Sequence, residues 1–123
     1  MPRGSLISFI FCLFSGHHPS VRVSLKNAVM NKYDYLQGDY QASSDVNGQT
    51  SWVKGAYAIW LMRSGGWIIG RRIDIGVSTG YIKSKQGCGL IDGDSEWKYS
   101  VGGPWINPSV PKDIEISYNH GKY

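Results

Sequence analysis

Alternating apolar and polar positions dominate the chain from residue 33 onward and predict β strands. The strongest segment, AYAIWLM (56–62), is apolar at every position. One face of such a strand would carry Tyr57, Ile59 and Leu61, and the other would carry Ala58, Trp60 and Met62. A strand that is apolar on both faces is covered on both sides. We therefore predict that residues 56–62 form a central strand or a strand at the inside of a small closed barrel.

Turn signals divide the rest of the domain into short strands. Asn47 and Gly48 tolerate positive φ angles and predict a two-residue hairpin loop. Residues 63–66 end in two glycines and predict a second hairpin, and Gly102 and Gly103 predict a third. The second and third hairpins are alike because a tryptophan lies on each side of the turn. These tryptophans are Trp60 and Trp67 in one hairpin and Trp97 and Trp105 in the other.

Further strand patterns complete the predicted domain. They are 33–42 with a bulge at Gly38, 71–76 with Ile73 and Ile75 on one face, 81–84, and 113–118 with Ile114 and Ile116 inward. The prediction is an all-β domain over residues 33–118, a small antiparallel barrel or two-layer sandwich of six to seven short strands. Residues 17–32 are interpreted as a linker with weak structure and residues 119–123 as a tail.

Residues 1–16 have the layout of a secretory signal peptide. One arginine precedes an apolar run, LISFIFCLF, which is followed by small residues. A buried N-terminal strand or an extension foreign to the domain are the alternatives. The run is shorter than the roughly 20 apolar residues that span a bilayer. We therefore expect a secreted, extracellular protein without membrane insertion.

The distribution of charge excludes a basic stripe. The net charge is +4 for the whole chain but only about +1 from residue 31 onward. Lys83 and Lys85 form a small cluster, yet lysines at strand spacing are typical of a solvated face. We therefore expect no nucleic-acid partner.

The two cysteines lie in different surroundings, Cys12 in the apolar run and Cys88 in a glycine-rich loop. Removal of residues 1–16 would leave Cys88 as a free thiol or an intermolecular partner, and a bridge between the two is the alternative. The oligomeric state stays open.

Candidate metal chemistry is weak. Asp92, Asp94 and Glu96 place oxygen ligands at alternate positions, as calcium loops do, but no bidentate glutamate follows at EF-hand spacing. No phosphate loop or catalytic constellation is present in the sequence, and we expect neither a cofactor nor an enzyme.

Aromatic residues near the hairpin ends are the strongest candidates for binding. We expect three of the five tryptophans to lie in the core, which leaves others free to contact a ligand. The candidate binding residues are Trp67, Tyr81, Trp97 and Trp105, together with the loop 76–94.

The order of these motifs resembles a known type of module. Tyr33, Gly38 and Tyr40 are followed by NG, YxIW, GWxIG, a glycine-rich loop, a W…GGxW hairpin and a closing DIxI. The pattern is similar to small extracellular β modules of unassigned biochemical function in secreted, multidomain invertebrate proteins, and it covers residues 33 to about 118. Such modules often close on a cysteine where this chain has Tyr118. The resemblance implies an extracellular interaction module without catalytic residues.

Three functions of different classes follow from the sequence. The first is a secreted, non-enzymatic interaction or structural module that binds an extracellular protein or glycan through aromatic hairpin tips. The second is a lectin-like, calcium-assisted carbohydrate-binding domain that uses Asp92, Asp94 and Glu96 beside Trp97. A glycan-active enzyme is third.

Overall fold

The computed structural model describes residues 20–85 and 96–119, which form nine strands, one short α helix and three 3₁₀ turns. The strands are β1 (Ser20–Leu25), β2 (Gly38–Val46), β3 (Gln49–Lys54), β4 (Tyr57–Leu61), β5 (Trp67–Arg71), β6 (Ile82–Ser84), β7 (Trp97–Ser100), β8 (Trp105–Ile106) and β9 (Ile114–Tyr118). The helix α1 is Asn27–Tyr33, and the 3₁₀ turns are Asp34–Leu36, Arg72–Asp74 and Pro111–Asp113. The predictions for residues 1–16, Cys12, Cys88, Asp92 and Asp94 lie outside the described residues.

All nine strands belong to one antiparallel sheet in the order β8-β7-β6-β5-β4-β3-β2-β1-β9. The sheet is open and curls into a half-barrel. The predicted all-β, antiparallel class is confirmed. The predicted count of six to seven strands is wrong, and a single curled sheet replaces the closed barrel or two-layer sandwich. β1 lies in residues that were predicted to be linker and adds a strand to those predicted.

Residues 20–32, expected to be linker, contribute a strand and most of the helix. β1 lies between β2 and β9, with Val21 opposite Tyr40 on one side and Tyr118 on the other. The alternation in this strand buries Val21 and Val23 and exposes Arg22. In α1 the i, i+4 pair Val29 and Tyr33 is buried against the same core. The sheet therefore begins upstream of the expected boundary.

The predicted central strand is confirmed, since β4 is the middle strand of the nine. Its two faces enter separate hydrophobic cores. Ile59 is buried in the larger core, with Tyr57 and Leu61 packed against it. Ala58, Trp60 and Met62 form the smaller core together with Ile68.

The three predicted hairpins are confirmed. Asn47 and Gly48 have φ of 53° and 87° and connect the paired residues Val46 and Gln49. Leu61 pairs with Trp67 across the second turn. In the third hairpin β8 pairs with β7 and is an edge strand of the sheet, between Pro104 and Pro108.

The predicted strand over residues 71–76 is wrong beyond Arg71. Residues Arg72–Asp74 form a 3₁₀ turn, and Ile73 is 80% exposed instead of facing a core. The chain leaves the sheet here to cover the smaller core, where Trp60 Nε1 donates a hydrogen bond of 3.1 Å to the Val77 carbonyl. The alternation of residues 71–76 favoured a strand, but this segment instead leads to the hydrogen bond between the Val77 carbonyl and the buried Trp60 indole.

The predicted strand over residues 33–42 begins later than expected. Tyr33 ends α1, Asp34–Leu36 form a 3₁₀ turn, and β2 starts at Gly38, whose φ is 125°. The turn is closed by Tyr40, whose hydroxyl donates to the Leu36 carbonyl at 2.7 Å. This compact turn gives Tyr35 a position away from the strand.

Candidate functional site

Four tyrosines from separate parts of the chain meet at one end of the sheet, and we call them the tyrosine cluster: Tyr33, Tyr35, Tyr57 and Tyr81. Tyr57 begins β4 opposite Arg71, the last residue of β5. Tyr81 precedes β6, and its amide donates to the Ile69 carbonyl of β5 at 2.8 Å. The start of β4, the end of β5 and the start of β6 coincide because neighbouring strands are antiparallel. The turn after α1 adds Tyr33 and Tyr35.

Two of the four ring pairs in the cluster meet at steep angles, and the other two are tilted. The centroids of Tyr33 and Tyr35 are 6.0 Å apart at an interplanar angle of 80°, and those of Tyr35 and Tyr81 are 6.3 Å apart at 90°. The pairs Tyr33–Tyr81 and Tyr35–Tyr57 are closer, at 5.2 Å, with an angle of 36° in each. Such edge-to-face contacts stabilise each pair by about 0.5–1.5 kcal/mol beyond burial. The result is a preformed, corrugated aromatic surface.

The four tyrosines differ in accessibility. Tyr33 is buried, and its hydroxyl donates a hydrogen bond to the Ser100 carbonyl. Tyr57 and Tyr81 are half-buried, and Tyr35 is 42% exposed. Desolvation, followed by the neighbouring phenols, raises the pKa of Tyr33 and of Tyr35. The hydroxyls of Tyr33 and Tyr35 therefore stay protonated at neutral pH.

Cationic side chains border the tyrosine cluster. Lys54 Nζ donates to the Tyr35 carbonyl at 3.0 Å and lies 6.0 Å from the centroid of the Tyr57 ring. Lys32 Nζ lies 5.9 Å from the Tyr33 ring. Arg71 is paired with Asp74 at 3.0 Å, and the hydrogen bond that it donates to Asp74 raises the pKa of the Arg71 guanidinium. Lysines thus supply positive charge beside accessible rings.

A cleft lies at the end of β4, β5 and β6 that is opposite to the tyrosine cluster, and we call it the lysine cleft. It has a volume of about 430 Å³. Its lining residues are Met62, Ser64, Gly66, Lys83, Ser84, Lys85, Glu96 and Lys98. Lys83 Nζ lies over the ring of the half-buried Trp105, 4.5 Å from its centroid, and Trp105 is not one of the described lining residues.

The four predicted binding residues do not form one site. Trp67 and Trp97 are 2% and 7% exposed and belong to the larger core, so their rings are closed to a ligand. Four of the five tryptophans are buried, where three were expected. Tyr81 belongs to the tyrosine cluster, and Trp105 contacts Lys83 through its ring. Trp105 pairs with Ser100, whose amide donates to the Tyr81 carbonyl, so these two half-buried residues lie level with each other on either side of β7.

Tyr35 and Tyr57 were absent from the predicted binding residues. Tyr57 was assigned to a covered strand, although it is the first residue of that strand and lies at its open end. Tyr35 was assigned to a strand that the 3₁₀ turn replaces. Tyr33, Tyr57 and Tyr81 lie at or next to the end of a helix or strand, and Tyr35 lies within the 3₁₀ turn. Only the fold brings these four positions together, so no local pattern in the sequence indicates the cluster.

The described part of the metal candidate is Glu96, which is exposed. Its Oε2 lies 3.8 Å from Lys85 Nζ, so an ammonium group occupies one of its sides. Within residues 20–85 and 96–119, no group of three His, Cys, Asp or Glu side chains is arranged to hold a metal ion.

Comparison of the chain with protein-family models, with curated proteins and with solved structures gives no match. None of the helical segments in the described part of the chain has the length and apolarity needed to cross a membrane.

Proposed function

We propose that the protein is a secreted, non-enzymatic interaction module that binds an extracellular protein or glycan through the tyrosine cluster. The observation that carries the proposal is the convergence of Tyr35, Tyr57 and Tyr81 at one end of the sheet, with accessible surface on each ring. Tyrosine is enriched in binding hot spots because it offers a large contact area and a hydroxyl with only two rotatable side-chain angles.

A protein is the partner that the ring geometry favours. The ring of Tyr35 stands at 80° to Tyr33 and at 90° to Tyr81, so the surface presents ring edges and hydroxyls beside ring faces. A flat stacking platform for a sugar would need a broad open ring face. A corrugated surface instead complements the side chains of a folded partner. Lys54 and Lys32 add positive charge at the border, which favours a partner with acidic residues.

The rigidity of the cluster supports its role in binding. Tyr33 is anchored to the Ser100 carbonyl, and Lys54 fixes the backbone of Tyr35. Rings that are already ordered lose little conformational entropy when a partner binds. Binding would therefore proceed with little change of the cluster.

The experiment is a screen of the purified full-length chain against immobilised extracellular protein domains and a glycan array, with and without EDTA. We expect binding to at least one protein domain, unchanged by EDTA. Tyr35→Ala should weaken this binding by about tenfold or more, as a hot-spot truncation of 2 kcal/mol implies. Val110→Ala is the control, because Val110 is similarly exposed and lies in the loop before β9.

Three results would contradict the proposal. The first is the absence of any binder on both arrays. The second is equal affinity of Tyr35→Ala and the unaltered protein. The third is a loss of affinity in Val110→Ala as large as that in Tyr35→Ala. Glycan binding that EDTA abolishes would instead favour the calcium-assisted lectin.

A further inference from the structure

Among the residues that the structure describes, the lysine cleft brings like charges together without an acidic residue between them. Lys83 of β6 and Lys98 of β7 are directly opposite in the antiparallel register. Their Cβ atoms are therefore about 5 Å apart, and such like-charged pairs destabilise a sheet. By contrast, Arg22 and Arg71 each have a close carboxylate partner, Asp39 and Asp74.

The nearest acidic side chain in the cleft does not neutralise this pair. Glu96 faces Lys85 at 3.8 Å, and both side chains are about two-thirds exposed. An exposed pair of this kind contributes little and opens easily. The described lining residues include three lysines and one glutamate, so this part of the cleft has an excess of positive charge.

The shape of the cleft comes from a close approach of backbone. A side chain at Gly66 would place its Cβ 2.7 Å from the Ser84 carbonyl oxygen, so only glycine fits there. Met62, from the smaller core, borders the same position. The floor is therefore rigid and partly apolar, with charge confined to the walls.

We propose that the lysine cleft binds a short anionic glycan, whose sulfate or carboxylate groups lie between Lys83 and Lys98 and whose sugar ring packs against Met62. This site is separate from the tyrosine cluster and does not depend on it. A shared anionic group would relieve the repulsion between the two lysines. Met62 gives the cleft an apolar surface, and the C–H face of a sugar ring is complementary to it.

A glycan fits the cleft better than a nucleic acid. The volume of about 430 Å³ lies at the small-molecule end of ligand sites and accommodates a few sugar units. A nucleic-acid backbone requires a longer basic track. Arg22 and Arg71 do not extend the positive surface, because each is paired with an aspartate.

The test uses a heparin-derived sulfated tetrasaccharide, its desulfated counterpart, and calorimetric titration of the full-length chain. We expect the sulfated sugar to bind and to weaken as salt concentration rises, and the desulfated sugar to bind at least about tenfold more weakly. Lys83→Gln and Lys98→Gln should each reduce affinity about tenfold. Lys112→Gln changes an exposed lysine in the 3₁₀ turn before β9 and should leave affinity unchanged.

Folding is checked separately, because Lys83→Gln removes one member of a like-charged pair and should not lower the unfolding temperature. Equal affinity for the sulfated and desulfated sugars would overturn the proposal. So would a loss of affinity in Lys112→Gln as large as that in Lys83→Gln. Absence of binding at low salt would overturn it as well. Tighter binding of a single-stranded oligonucleotide or a polyglutamate peptide, lost in Lys83→Gln, would assign the cleft to that other class of ligand.

Discussion

At the scale of single residues, one buried hydroxyl holds the turn that positions the tyrosine cluster. Tyr40 is fully buried and donates to the Leu36 carbonyl four residues earlier. This hydrogen bond closes the 3₁₀ turn Asp34–Leu36 against β2, and the turn carries Tyr35. Burial also raises the pKa of Tyr40 well above its ordinary value of about 10. At any pH at which Tyr40 is protonated in the unfolded chain, its phenol is therefore also protonated in the folded protein.

Tyr40→Phe should lower the free energy of unfolding by about 1–3 kcal/mol at neutral pH, because the buried Leu36 carbonyl loses its donor. The difference from the unaltered protein should narrow as pH rises above about 10. In that pH range the unfolded chain releases the Tyr40 proton while the folded chain retains it. The free energy of unfolding of the unaltered protein therefore falls with pH, whereas Tyr40→Phe has no such proton to release. Denaturant titrations at neutral pH and above pH 10 measure both effects. A difference that stays constant or widens with pH would contradict this role.

At the scale of elements, the position of β1 decides the extent of the domain. β1 forms ladders with β2 and with β9, so the C-terminal strand joins the sheet only through it. Arg22 lies in the middle of β1, opposite Asp39 and Ser117, with its side chain in solvent. It therefore allows a test of the backbone without disturbing the core.

Arg22→Pro should prevent stable folding or lower the unfolding temperature far more than Arg22→Ala does. Both variants lose the exposed ion pair with Asp39, but only proline removes a backbone donor and distorts a strand paired on both sides. Thermal unfolding followed by circular dichroism makes the comparison. If the two variants unfold at the same temperature, residues 20–25 are a linker and the assigned β1 is wrong.

The sequence predicted those elements whose cause is local. Asn47 and Gly48 fix their hairpin through their own φ preferences, and Tyr57 to Met62 alternate between two apolar faces regardless of which strands are their neighbours. Pairing of β1 with β9 joins residues almost a hundred positions apart, and no local pattern specifies it. Residues 72–75 alternate like a strand, yet they leave the sheet because Trp60 needs a hydrogen-bond acceptor at Val77.

The candidate site was less predictable than the fold. Aromatic type indicated binding, but Trp67 and Trp97 were selected for their place beside turns and lie in the core. Side-chain direction within a hairpin depends on register, and register decides which tryptophan is buried. Tyr35 and Tyr57 meet only because the turn after α1 approaches the start of β4.

At the scale of the whole molecule, the curled sheet separates two surfaces of different chemistry. The tyrosine cluster lies where β4 begins and β5 ends, and the lysine cleft lies near the turn that connects these strands. The two hydrophobic cores fill the space between them and keep the strands in register. We therefore propose that ligands at the two ends bind independently.

The most direct test of the central claim, recognition through the tyrosine cluster, is tyrosine nitration of the unaltered protein with and without a partner from the protein screen. We expect Tyr35 and Tyr57 to be protected in the complex. Tyr118, half-buried on the edge strand β9, should react equally in both states. Protection of Tyr118 with continued reaction of Tyr35 would contradict the claim.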